Sequence, residues 1–185
     1  GDPPHGQPDF QPHAASLPHA TDLLEFIRPR YPFCLGAAGY PEGHIEAESK
    51  QKDLEYLKLK VEKGAEYIIT NYCYDNRYYF DFVANSRRLG IEVPILPGIM
   101  PIFSIKMMEH LAKLCGASIS DDLRQRLAAL PAGDIRALLN FGIDVAFEQC
   151  QGLLGAGVPG LHFYTMDRSQ STAGVLARLR REGLL

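Results

Sequence analysis

The sequence predicts an α/β fold and, within that class, a (β/α)8 TIM barrel of which this chain holds about the last five strand–helix units. Short apolar segments alternate with longer amphipathic segments along the 185 residues. The loops that follow the apolar segments are richer in polar, Gly and Pro residues than the loops that precede them, such as Lys63-Gly64-Ala65. No Gly-rich nucleotide fingerprint follows any predicted strand, which weakens the runner-up, a doubly wound sheet.

Composition excludes several other classes. The net charge of −3 offers no general attraction to nucleic acid or anionic lipid. No apolar run reaches the 18 residues of a membrane-spanning helix, and the polar, Pro-rich start lacks the apolar region of a signal peptide. The four cysteines are far apart and form no CxxC pair, so we expect reduced thiols in a cytoplasmic protein. The early histidines lack metal-site spacing, and no metal is predicted.

The first half of the chain predicts one helix followed by two strand–helix units. Apolar spacing predicts a helix at Ala20–Arg28, which prolines end. Phe33–Ala38 is short, apolar and typical of a strand buried on both faces. Ile45–Lys63 has acids at its start and lysines at its end, which suits a helix dipole. Glu66–Tyr72 is rich in β-branched residues and predicts a strand, and Asn76–Leu89 predicts the next helix.

The second half predicts two more strands, with extra helices between them. In order, the predicted elements are the strand Val93–Met100, the helices Ser104–Leu114, Asp121–Leu130 and Asp134–Gly155, the strand Leu161–Met166 and the helix Ser171–Arg181. A further strand is expected to end at Gly1-Asp2. Alternation at this spacing indicates right-handed βαβ units and a parallel sheet.

In such a barrel the chemistry lies where strands end and the following loops begin. One such loop contains Tyr40, Glu42 and His44, whose side chains could hold a phosphate or ribose together with the helix N-terminus. The same loop reads equally well as one in which Glu42 caps the helix. Asp53 and Lys60, two turns apart on one helix face, suit a hydroxyl and a phosphate, although spacing alone favours a solvated polar stripe.

Two other strand ends carry candidate binding residues. The amide of Asn71 suits the edge of a heterocycle, and a turn-forming Asn is an equally good interpretation. The guanidinium of Arg168 suits a carboxylate, and the alternative is an ion pair with Asp167 or Glu182. Cys73, between two tyrosines, is predicted to be a packing residue. No Ser/His/Asp or Cys/His arrangement supports nucleophilic catalysis.

Taken together, these stretches resemble the methylenetetrahydrofolate reductase family of flavin-dependent barrels. The matching motifs, in the family's order, are GDPP, AAGYPEGHIEA with DLEYLKLKVEKGAEYIIT, VPILPGIMPI and GVPGLHFYTMDR. The resemblance implies that residues 1–185 are the C-terminal portion of a single catalytic barrel domain. It also implies FAD as cofactor and an NAD(P)H-dependent reduction of 5,10-methylenetetrahydrofolate to 5-methyltetrahydrofolate, a step of one-carbon metabolism that supplies methionine biosynthesis.

The resemblance also assigns roles to residues. Asp2 is implied as the catalytic carboxylate beside the flavin, where it would tune the flavin's potential. The implied FAD-binding residues are Gly1, Asp2, Ala20, Tyr40, His44, Asp53 and Lys60. The implied substrate-binding residues are Asn71 and Arg168. A homo-oligomer is compatible with this interpretation, and no nucleic-acid or membrane partner is expected.

Several positions depart from the family pattern. Asn71 stands where the family has Gln, Met107 where a Gln often assists substrate binding, and Met166-Asp167 where Leu-Asn is usual. The family's general-acid glutamate belongs to a strand that this chain lacks, so we expect the chain alone neither to bind FAD tightly nor to turn over. These departures motivate an alternative: a non-catalytic or accessory relative that binds a partner subunit.

Overall fold

The computed structural model describes Gly6, Gln7 and residues 9–185, which form seven helices and four strands. The predicted strand end at Gly1-Asp2 lies outside the described residues. The helices are α1 (Ala20–Ile27), α2 (Lys50–Glu62), α3 (Asn76–Arg88), α4 (Ile105–Cys115), α5 (Asp121–Ala128), α6 (Ile135–Gly155) and α7 (Ser169–Arg181). The strands are β1 (Gly36–Gly39), β2 (Tyr67–Tyr72), β3 (Ile95–Ile99) and β4 (His162–Phe163). Among the described helices, none has the length and apolar character needed to cross a membrane.

The four strands form one sheet in the order β1-β2-β3-β4, and every neighbouring pair is parallel. Chain order and spatial order therefore coincide, as they do along the wall of a barrel. In a doubly wound sheet, the spatial order of the strands would instead reverse at a switch point. The predicted α/β barrel architecture, present here as a partial barrel, is confirmed, and the doubly wound alternative is wrong.

The main hydrophobic core lies between the sheet and the helices that cover it. Alternate residues of β2 are buried, and Ile68, Ile95 and Ile99 face the helices with at most 1% exposure. They belong to one cluster with Leu57 of α2, Phe82 of α3, Leu153 of α6 and Val175 of α7. Burying each large aliphatic side chain contributes about 1.5–3 kcal/mol, so this layer stabilises the packing of the helices on the sheet.

A second, smaller cluster supports the helices inserted between β3 and α6. Ile102 and Met108 pack there with Leu123 and Leu127 of α5 and Val145 of α6. We call α4 and α5 the α4–α5 pair. The pair is stabilised by this satellite cluster and not by the main core, so its position relative to the sheet depends on separate contacts.

Three predicted elements differ most from the structure in their bounds. The first strand begins at Gly36 and not at Phe33, whose side chain is 59% exposed. Helix α2 begins at Lys50 because Ser49, a strong N-cap, accepts a hydrogen bond from the Lys52 N–H. The last strand has only two residues, His162 and Phe163, and the backbone becomes left-handed at Met166 and Asp167, within the predicted strand and just after it.

Gly98 lets β2, β3 and the chain after β4 approach closely. A Cβ atom at this position would lie 2.2 Å from the Thr70 carbonyl oxygen and 2.6 Å from the Tyr164 ring. The Gly98 N–H donates to the Thr70 hydroxyl at 3.0 Å, and the Tyr164 hydroxyl donates to the Thr70 carbonyl oxygen at 3.0 Å. A larger residue would separate these strands at the end where their loops begin.

Candidate cofactor and substrate site

The loop after β1 folds back onto α2 and brings four of the predicted cofactor residues together. The Lys60 ammonium donates to the Ala38 carbonyl oxygen at 2.9 Å and lies 5.4 Å from the centre of the Tyr40 ring. The Tyr40 and His44 rings meet edge to face at 4.6 Å. We call Tyr40, His44, Asp53 and Lys60 the β1 corner.

Asp53 ties the loop to the helix. Its carboxylate accepts a hydrogen bond from the backbone N–H of His44 at 3.2 Å, and Asp53 is only 8% exposed. The predicted solvated stripe is therefore wrong at Asp53, because the loop covers this face of α2. Burial raises the pKa of Asp53, and the His44 N–H and the Lys60 charge oppose that rise.

Lys60 is the cation of the corner. Burial lowers the pKa of its ammonium, and the neighbouring Asp53 charge opposes this effect. An ammonium has three hydrogen-bond donors, and the Ala38 carbonyl oxygen takes one of them. The corner thus presents a half-buried cation beside a buried carboxylate, a set that suits a phosphate next to a hydroxyl-bearing sugar.

The structure corrects the predicted roles of the α2 N-terminus and of Glu42 at this loop. Helix α2 begins at Lys50, six residues after His44, so its first turn does not directly follow the loop's binding side chains. Glu42 does not cap α2. Its two carboxylate oxygens accept from the Ser118 N–H at 2.9 and 3.1 Å, in the segment after α4.

Asn71 lies inside β2 near its end, so the turn-forming interpretation is wrong. Its side-chain amide donates to the Cys115 carbonyl oxygen at the end of α4, at 3.3 Å. This contact places α4 beside the carboxyl end of β2. Sequence reasoning missed it, because 44 residues separate the two partners.

Arg168 is the exposed residue that precedes α7. Its guanidinium lies 5.9 Å from the centre of the Phe103 ring, so it bridges the loops after β3 and β4. Glu182, one of the alternative ion-pair partners, contacts Arg181 instead. Just before Arg168, Met166 and Asp167 have φ angles of 49° and 57°. Such left-handed non-glycine residues cost about 1–3 kcal/mol each and concentrate at functional loops.

A row of aromatic rings that the sequence analysis missed crosses the same end of the sheet. Ring centres are 5.6 Å apart for Tyr74 and Tyr72, 6.3 Å for Tyr72 and Tyr164, and 4.8 Å for Tyr164 and His162. Burial raises the pKa of all three tyrosines, which keeps them neutral. The YCY and LHFYT motifs are the signal from which this wall could have been found.

Among the described residues, Ala20 is the predicted cofactor residue that lies outside the β1 corner. Ala20 is the exposed first residue of α1, where the His19 N–H donates to the Asp22 carboxylate at 2.9 Å. Gly1 and Asp2 lie outside the described residues. Cys73 is buried and burial raises its pKa to about 12, which confirms a packing residue. In the described part of the chain, no group of three or more His, Cys, Asp or Glu side chains could hold a metal ion.

Comparison with solved structures supports the fold. A protein from Clostridium thermocellum, described as binding two copies of 5-methyl-5,6,7,8-tetrahydrofolic acid, matches with a TM-score of 0.59 and 20% sequence identity. The match covers 89% of this chain and 59% of that chain. At this identity the likeness shows the shared fold.

Comparison with known sequences identifies the family. The family model of methylenetetrahydrofolate reductase matches residues 1–180. Methylenetetrahydrofolate reductase (NADH) 1 of Arabidopsis thaliana is 40% identical over 97% of this chain and 32% of its own length. Methylenetetrahydrofolate reductase 2 of Saccharomyces cerevisiae is 36% identical over 97% of this chain and 30% of its own length. The chain thus spans about a third of the length of these relatives. By these matches, the chain belongs to the methylenetetrahydrofolate reductase family.

Proposed function

We propose that this chain forms part of the catalytic barrel of an FAD-dependent oxidoreductase that reduces 5,10-methylenetetrahydrofolate to 5-methyltetrahydrofolate with NAD(P)H. The observation that carries the proposal is the β1 corner, in which a loop, a buried carboxylate and a half-buried ammonium meet at the carboxyl end of a barrel strand. Family membership supplies the reaction class. Relatives named for NADH and for NADPH both match, so the donor is proposed as NAD(P)H.

The donor set of the corner fits FAD. Lys60 retains donors for a pyrophosphate oxygen after its bond to Ala38, and the Asp53 carboxylate retains acceptor positions for a ribose hydroxyl. The Tyr40 and His44 rings add flat surfaces beside this pair. The chemistry that FAD supplies when bound is hydride transfer from NAD(P)H to the folate.

The chain's own residues bind and orient the reactants. Lys60 neutralises phosphate charge, and Asp53 is held by the His44 N–H in the orientation needed to accept from a sugar hydroxyl. Asn71 offers an amide edge to the pterin, and Arg168 offers a guanidinium to a folate carboxylate. The row of neutral tyrosines gives an apolar wall that excludes water from the reacting atoms. Asp2, outside the described residues, remains the proposed catalytic carboxylate.

A non-catalytic relative that binds a partner subunit is the second candidate. It is favoured by the Asn71 amide, which is already engaged by the Cys115 carbonyl oxygen, and by Met107, an apolar residue that is 39% exposed on α4. The two candidates differ in turnover, because only the reductase consumes NAD(P)H.

The test uses the protein in the full length in which it occurs. Purified protein should show the absorbance of bound FAD and should oxidise NAD(P)H when menadione or 5,10-methylenetetrahydrofolate is added. A colourless protein without turnover would contradict the reductase. Stable FAD without turnover would favour the non-catalytic relative.

A further inference from the structure

Glu42, in the loop that carries Tyr40 and His44, contacts the segment that follows α4, far away in the chain. Its carboxylate oxygens lie 2.9 and 3.1 Å from the Ser118 amide nitrogen, although 76 residues separate the two. A carboxylate that accepts from a backbone N–H is a charge-assisted bond, stronger than one between neutral groups. Glu42 therefore points from the corner loop toward the α4–α5 pair and not into the corner itself.

Two further contacts fix the same end of α4. The Asn71 amide donates to the Cys115 carbonyl oxygen at 3.3 Å. Gly116 ends the helix with a left-handed φ of 71°, and a Cβ atom there would lie 2.7 Å from Cγ2 of Ile45. The end of α4 thus lies on the corner loop on one side and on the end of β2 on the other.

These contacts matter because the α4–α5 pair packs in the satellite cluster and not in the main core. The members of the satellite cluster come from the chain around α4, α5 and α6 together with Tyr74, and none of them belongs to the loop after β1 or to α2. Glu42 and Ile45 therefore join the end of α4 to the loop after β1, and Asn71 joins it to the end of β2.

We infer that Glu42 is a positioning residue that couples the β1 corner to α4. By accepting a hydrogen bond from the Ser118 N–H, it holds α4, which carries Met107, next to the Asn71 amide. This arrangement is the one that receives the folate. The inference rests on the proposed function for the identity of that ligand. It assigns Glu42 no contact with either reactant. Removing the carboxylate should free the end of α4 and weaken folate binding, while FAD binding stays unchanged.

The experiment compares Glu42→Ala with Glu42→Gln and with Glu46→Ala, an exposed control in the same loop, in the full-length protein. Hydrogen exchange at the Ser118 amide should be about tenfold faster in Glu42→Ala. The dissociation constant for 5-methyltetrahydrofolate, measured by calorimetry at saturating FAD, should rise by about tenfold. Glu42→Gln keeps an oxygen acceptor and should restore both values to within about threefold, and Glu46→Ala should match the parent protein.

The outcomes separate this inference from the proposed function. Unchanged exchange at Ser118 would overturn the contact, and faster exchange with unchanged folate affinity would overturn the coupling. Lost FAD binding in Glu42→Ala would also overturn it, because Glu42 would then act within the corner. A parent protein that binds neither FAD nor 5-methyltetrahydrofolate would contradict the proposed function itself.

Discussion

The β1 corner and the loop after β4 lie at the same end of the sheet but are built in opposite ways. In the corner, the buried Asp53 holds the loop by accepting from the backbone N–H of His44, and the half-buried Lys60 donates to the Ala38 carbonyl oxygen of β1. After β4, Arg168 is exposed, touches one ring, and follows two residues in left-handed geometry. The corner is held in one arrangement by its own hydrogen bonds, whereas the β4 loop stores backbone strain and presents its cation to solvent.

The largest expected effect on stability comes from Gly98, where β2, β3 and the chain after β4 approach closely. Gly98→Ala places a Cβ atom 2.2 Å from the Thr70 carbonyl oxygen and against the Tyr164 ring. Because backbone has to move, we expect the free energy of unfolding to fall by about 3 kcal/mol. Urea denaturation measures this change.

The matched control is Gly155→Ala, at the end of α6, where a Cβ atom would meet nothing within 4 Å. It should be neutral or stabilise by up to about 1 kcal/mol, since Ala is the better helix former. Equal losses in both variants would contradict the close approach at Gly98.

Two substitutions at left-handed positions, one in each region, should change the free energy of unfolding by smaller amounts and with opposite signs. Gly43 in the corner loop has a φ of 92°, so Gly43→Ala should lower the free energy of unfolding by about 1 kcal/mol. Met166→Gly relieves a left-handed φ and should raise it by about 1 kcal/mol. Thermal unfolding of the two variants measures both. A loss of stability in Met166→Gly would show that the β4 loop is not strained.

The smallest effect is a pH dependence that belongs to the corner. Burial raises the folded-state pKa of Asp53 above its unfolded value, so the folded protein binds this proton more tightly. The contribution of Asp53 to stability is therefore fully present below the unfolded pKa and is lost as pH rises through the folded pKa. Asp53→Asn should remove this loss. The variant should therefore be more stable than the parent protein by a larger amount at pH 7 than at pH 4.

Unfolding without added FAD, at both pH values, measures the difference. Asp81→Asn, which removes an exposed carboxylate of α3, is the control variant. A gain for Asp53→Asn that is larger at pH 4 than at pH 7 would contradict the sign.

The sequence predicted each helix and strand of the described chain in type and order, because hydrophobic period and Gly/Pro breaks are local signals. It misplaced the start of α2, where Ser49 outcompetes the earlier acids as an N-cap. It also overextended the last strand, because nothing in LHFYTM marks the left-handed turn at Met166.

The candidate site was predictable only in part, for the same reason. Tyr40 and His44 follow a strand end, which the pattern shows directly. The burial of Asp53 depends on how the loop folds over α2, and periodicity alone placed it on a solvated stripe. The contact of Glu42 with Ser118 joins distant segments and leaves no trace in local spacing.

The most direct test compares Lys60→Ala with Arg168→Ala in the full-length protein, measuring the dissociation constants of FAD and of 5-methyltetrahydrofolate for each. Lys60→Ala should weaken FAD binding by about 10- to 100-fold, as expected for a lost charged hydrogen bond, and leave folate affinity at saturating FAD unchanged. Arg168→Ala should do the reverse. Equal losses of both ligands in both variants, or loss of FAD binding only in Arg168→Ala, would contradict a cofactor site at the β1 corner and a substrate site at the β4 loop.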